Sequence, residues 1–179
     1  MKSALLVIDV QRALCQGDYA AFEAERVIQR INLVAGKARA AGVPVVFIQH
    51  EANDGLLEPD TDGWRLAEGL DALESDLYLR KKASDAFHQT SLGATLQELG
   101  VTDLVICGLQ SEFCVDTTTR RALALGYPVI LVADGHSTMD NAVLSADQIS
   151  RHHTHTLTNL SSFGVRARAL SAAALRFDI

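Results

Sequence analysis

The stretch Cys107 to Gly126, CGLQSEFCVDTTTRRALALG, holds two of the chain's three cysteines, and the second, Cys114, stands where an apolar run gives way to a helical pattern. A thiol at that junction meets free amide donors and the positive end of the helix dipole, which stabilise a thiolate and can also hold an oxyanion. The ordinary alternative is a buried cysteine acting as a small apolar side chain. Cys107, inside the apolar run, fits that description, and Cys15, in a loop near the N-terminus, fits either. A nucleophilic thiol needs a base. Asp9 breaks the apolar run ALLVIDV (Ala4 to Val10) and suits either a turn cap or a catalytic carboxylate. Lys81 and Lys82 follow the apolar pair Leu77 and Leu79; in a strand, successive side chains point oppositely, so only one of these lysines can enter a given site. Of the six histidines, His136 in DGHST follows an apolar run and is a pocket candidate, whereas His152, His153 and His155 read as solvated or helix-terminal. Asp9, His50 and His136 would supply metal-binding atoms, but their spacing matches no ligand signature and C-x-x-C is absent, so neither metal nor cofactor is expected.

These residues need a frame to bring them together. The runs ALLVIDV, VPVVFIQ, DLVICG and YPVILVA have the length and continuous apolarity of strands covered on both faces, as in a parallel sheet. Between them, helical patterns run from Ala21 to Ala41, Ser91 to Leu99 and about Cys114 to Leu125, each followed by glycine. Alternation of this kind predicts a three-layer α/β/α sandwich with a central, mainly parallel sheet of about six strands. Ligands of such sheets bind beyond the carboxyl ends of the strands, where Asp9, Cys114 and His136 all fall. Residues 51–76, with three glycines, one proline and little periodicity, read as a long excursion of the kind that forms lids or pocket walls.

At 179 residues without a linker or repeat, the sequence is expected to form a single domain, 1–179. Its 48% apolar and 21% charged residues are those of an ordinary globular protein. The net charge of −6 argues against a nucleic-acid partner and favours a small-molecule substrate. The N-terminal apolar run is too short for a signal core or membrane span, and the odd cysteine count is no disulfide framework, so a cytoplasmic location without membrane association is expected.

Four segments, LLVIDVQ, KKASDAF, GLQSEFCVDTT and GYPVILVADGHST, occur in that order, and with them the whole chain resembles the isochorismatase-like cysteine hydrolases. That superfamily includes nicotinamidases, N-carbamoylsarcosine amidase and ureidoacrylate or biuret-type amidohydrolases; the variant here looks most like its streptothricin-hydrolase-type branch. The resemblance implies a Rossmann-like fold and a triad of Asp9, Lys82 and Cys114. Lys82 is chosen over Lys81 because the family places a small residue and phenylalanine four and five positions after the lysine, here Ala86 and Phe87. It further implies a cis peptide between Leu109 and Gln110, an oxyanion hole from the amides of Gln110 and Cys114, and hydrolysis of a non-peptide C–N bond through a thioester. Homodimers or homotetramers are common in the family. Gln11, Trp64, Phe87, Glu112 and His136 are the possible pocket residues, with helix capping the alternative for Glu112. The nicotinamidase D-x-H metal motif is missing from QHEANDG, and Cys114 departs from the isochorismatases proper, which lack the cysteine. A non-catalytic binding protein of the same fold is the competing expectation, and a metal-dependent hydrolase using Asp9, His50 and His136 is a third.

Overall fold

A computed structural model describes residues 2–53 and 55–177. Its regular elements are β1 (Ser3–Ile8), α1 (Arg12–Cys15), α2 (Ala24–Ala40), β2 (Val45–His50), β3 (Leu77–Lys81), α3 (Leu92–Glu98), β4 (Asp103–Leu109), α4 (Asp116–Ala124), β5 (Val129–Ser137), α5 (Ala146–Asn159) and β6 (Ala167–Leu170). The six strands form one sheet in the order β3-β2-β1-β4-β5-β6, and every pairing is parallel. The chain therefore winds outward from β1 to β3, returns to place β4 beside β1, and winds outward the other way. The reversal opens a crevice between β1 and β4, where a doubly wound sheet binds its ligands.

Burial follows the period of each element. Along β1, Ala4, Leu6 and Ile8 join one apolar cluster with Leu92 and Leu96 of α3 and Ala122 and Leu123 of α4. The alternate residues Leu5 and Val7 join the opposite cluster with Val27, Ile31, Val34 and Ala38 of α2. One strand thus supplies both faces of the core, which explains why it reads as an unbroken apolar run. α2 buries a single stripe at helical spacing and leaves its other face to solvent. Residues 51–76 contain no helix or strand among the described residues, and their one sheet-like contact is a bridge from Leu66 to Gln11.

Gly108 fixes how closely β1 and β4 approach at the crevice. It pairs with Ile8, the residue before Asp9, at φ +120°, and a Cβ there would overlap the Ile8 backbone. Gly108→Ala would force an L residue into a disfavoured conformation and push β1 away at its carboxyl end. The expected loss in chemical denaturation is about 3 kcal/mol or more; a midpoint equal to wild type would show that the two strands can separate freely here.

Candidate active site

Three strand ends and one turn converge at the crevice. Asp9 follows β1, His50 ends β2, Lys81 ends β3, and Cys114 lies in a wide π-turn (Ser111–Val115) that joins β4 to α4. Lys81 is the centre of the group. Its Nζ lies 2.7 Å from Asp9 Oδ2, 3.2 Å from Cys114 Sγ, 3.0 Å from His50 Nδ1 and 3.1 Å from the carbonyl of Ala83. Asp9 and Lys81 are each 1% exposed. Asp9 takes φ +51°, a left-handed conformation that few residues other than glycine adopt, and its Oδ1 is buried without a hydrogen-bond partner among the described residues.

The lysine in the site is therefore Lys81, and the expectation of Lys82 is corrected. The reason is strand parity. Leu79 and Lys81 share the inward face of β3, Arg80 turns outward to Glu51, and Lys82 lies beyond the strand and is exposed. Counting in twos from Leu79 would have found it. The segment after the strand serves α4 instead: the amide of Ala86 donates to Thr118 Oγ1, whose hydroxyl donates to the Ser84 carbonyl.

Burial pushes the Cys114 thiol up to about 12, the Asp9 charge adds to that, and Lys81 opposes it. At neutral pH Cys114 is a thiol held between a carboxylate and an ammonium, and not the preformed thiolate that its place at a helix start suggests. Alkylation by iodoacetamide, read by peptide mass spectrometry at Cys114, should still be climbing at about pH 10, beyond the ordinary thiol midpoint of about 8.5. A plateau below that midpoint would mean that Lys81 outweighs burial and Asp9. Of the other cysteines, Cys107 is buried in the sheet and Cys15 is half-buried, and burial raises the pKa of each.

Asp9, His50 and Cys114 present donor atoms within 4.8 Å of one another. The Lys81 ammonium lies among all three, so a cation already occupies the place a metal would take. The metal trio of Asp9, His50 and His136 is not assembled. His136 is buried behind the π-turn, with Nδ1 2.7 Å from Ser111 Oγ and Nε2 2.9 Å from Thr154 Oγ1. With Ser150 and Thr154 it lines a cavity of about 870 Å³ between the start of α2 and α5, bounded also by Phe22, Arg26 and Arg151 and by no member of the Asp9–Lys81–Cys114 group. His153 is also more than a solvated residue: its Nδ1 lies 2.9 Å from Asp116 Oδ1, and Asp116 also accepts from Arg120.

The remaining pocket candidates divide. Gln11 is fully buried, and its side chain donates to the carbonyls of His50 and Trp64 while accepting from the His50 amide. It is a clamp between the excursion and β2, because a buried amide group must satisfy both of its ends. Trp64 is pinned by that clamp and by Gln49, with the Arg80 guanidinium 4.9 Å from its ring centroid and its indole Nε1 buried without a partner among the described residues. Phe87 is partly buried, stacks on Tyr127 at 6.2 Å and packs against the core. Glu112 makes no capping bond, and its Oε2 is buried without a partner among the described residues. The Leu109–Gln110 peptide is cis.

A family profile for the isochorismatase domain matches residues 3–168. Streptothricin hydrolase of Streptomyces noursei is 43% identical over 138 residues, covering 76% of this chain and 50% of that protein. The chain thus spans about half the length of that curated relative. Ureidoacrylate amidohydrolase of Klebsiella pneumoniae is 29% identical over 170 residues, covering 74% of this chain and 72% of that protein. A crystal structure of an isochorismatase family protein superimposes with a TM-score of 0.87 at 36% identity, covering 95% of this chain and 98% of that one. Its parallel sheet, the crevice at the β1–β4 reversal and these similarities together place the chain in the isochorismatase family.

Proposed function

We propose that the protein is a cysteine amidohydrolase that cleaves a non-peptide C–N bond in a small amide, carbamoyl compound or cyclic amide. The observation that carries this reading is the buried contact of Lys81 with both Asp9 and Cys114. A carboxylate beside a protonated thiol is a general base, and an ammonium beside the same sulfur stabilises the negative charge left when the proton departs. In the proposed sequence Asp9 takes the Cys114 proton as the sulfur attacks the substrate carbonyl carbon. The amides of Gln110 and Cys114 hold the tetrahedral oxyanion. Asp9, now protonated, gives its proton to the departing amine; the resulting thioester is hydrolysed by water activated by the same carboxylate, which regenerates the thiol.

The named activities of the two curated relatives support an amide or cyclic amide as the first compounds to try. We also propose a cytoplasmic enzyme that acts as a homodimer or homotetramer; among the described residues, no helix is long and apolar enough to cross a membrane. The decisive experiment measures ammonia or amine release from a panel of primary amides, ureido and carbamoyl compounds and cyclic amides. Release from at least one compound that disappears in Cys114→Ala is the expected result. Release that survives the substitution sinks the cysteine mechanism, and silence across the panel favours a binding protein.

A further inference from the structure

With a neutral imidazole, one arrangement of protons satisfies all the hydrogen bonds behind the π-turn at once. Each hydroxyl carries one proton to donate. Thr154 Oγ1 donates to the Ser150 carbonyl at 2.9 Å, so toward His136 Nε2, also at 2.9 Å, it can only accept. His136 therefore carries its proton on Nε2. The imidazole is 5% exposed, and burial pushes its pKa down to about 4, which leaves Nδ1 with a bare lone pair at neutral pH. Ser111 Oγ, 2.7 Å from Nδ1, must then donate to it. With that proton committed, Ser111 Oγ accepts from Ser150 Oγ at 2.9 Å. The chain of donors runs from Ser150 through Ser111 to His136, and from His136 through Thr154 to the backbone of α5.

Ser111 is the residue after Gln110 and the first of the turn that carries Cys114. The chain thus ties that turn to β5 through His136 and to α5 through Ser150 and Thr154. None of these groups touches Asp9 or Lys81 in any recorded contact, so the link acts from behind the reacting atoms. We propose that His136, as its Nε2–H tautomer, is a positioning residue that holds Ser111 and through it sets the Gln110–Cys114 turn against Asp9 and Lys81. The catalytic half of this inference rests on the amidohydrolase reading.

The test contrasts two replacements. His136→Asn keeps a carbonyl acceptor near the Nδ1 position and can still receive the Ser111 proton; His136→Gln fills more of the volume but reaches toward Thr154, which removes the acceptor that ties Ser111 to β5 and leaves it only the Ser150 hydroxyl. On the best compound of the panel, His136→Gln and Ser111→Ala are expected to lower kcat by about 10- to 100-fold with KM nearly unchanged, whereas His136→Asn stays within about threefold of wild type. If His136 mattered only as packing, the smaller asparagine would do more harm than glutamine; that order, or equal kcat in all variants, overturns the proposal. Two readouts need no substrate. Imidazole nitrogen NMR should show an Nε2–H ring that stays neutral from about pH 8 down to about pH 5, against an ordinary midpoint of about 6.5, and amide exchange of the Ser111–Val115 turn should accelerate in His136→Gln but not in His136→Asn. An Nδ1–H ring, or exchange that does not respond, overturns the proposal even where turnover is found. A silent panel with both readouts as expected removes the amidohydrolase reading and still supports the positioning of the turn.

Discussion

Cys114→Ala is expected to abolish turnover, by about 10⁴-fold or more, and to leave the fold intact. The size follows from the chemistry: without the sulfur there is no covalent intermediate, and the residual rate is what orientation and the oxyanion donors can do for an attacking water. The fold should tolerate the change because the turn is held without the thiol, by backbone bonds and by the Ser111 hydroxyl, and because alanine keeps the Cβ that packs on the core. The stability cost should stay within about 1–2 kcal/mol. Measured turnover and a melting curve on the same preparation separate the outcomes. Activity above about one per cent of wild type would make water the nucleophile; a lost melting transition would mean that the thiol is structural.

Replacing Lys81 and Lys82 in turn should give opposite results. Lys81→Met removes the only ammonium in contact with Asp9 and Cys114 among the described residues, and leaves Asp9 a buried carboxylate with no counter-charge. Breaking a buried ion pair from one side costs about 3–5 kcal/mol, so a large drop in the denaturation midpoint is expected alongside a loss of kcat of about 10³-fold. Part of the stability should return in the Lys81→Met, Asp9→Asn double variant, where no buried charge remains unpaired, while activity should not return. Lys82→Met, at an exposed position beyond the strand, should match wild type in both measurements to within about 0.5 kcal/mol and twofold in kcat. A larger effect of Lys82 than of Lys81 on kcat would overturn the site described here. Recovery of activity in the double variant would show that the pair is structural and that the thiol needs neither partner.

Legibility in the sequence ended where three-dimensional direction began. The four apolar runs and their intervening helical stripes were sufficient to indicate a covered parallel sheet, because burial on both faces leaves no polar face to alternate. The positions of Asp9 and Cys114 at the ends of such runs pointed to one edge of that sheet, and both are found at the crevice. β3 was harder to read. It is an edge strand with only two buried residues, so its apolar signal is weak, and the spacing to Ala86 and Phe87 drew attention to Lys82 when the pleat of the strand directs Lys81 inward. Two of the pocket candidates have partners that the sequence does not show, for a related reason. Gln11 and Phe87 look available in a string of letters, yet one is consumed by the backbone of His50 and Trp64 and the other by Tyr127. The sequence by itself determined the layers, the all-apolar strands and the acid and thiol at their ends, since those depend on local period and composition. Only the tertiary structure decided which lysine meets them, that Cys114 rests as a thiol, and that His136 braces the turn from behind, because each depends on distances between segments far apart in the chain and on the water that their packing excludes.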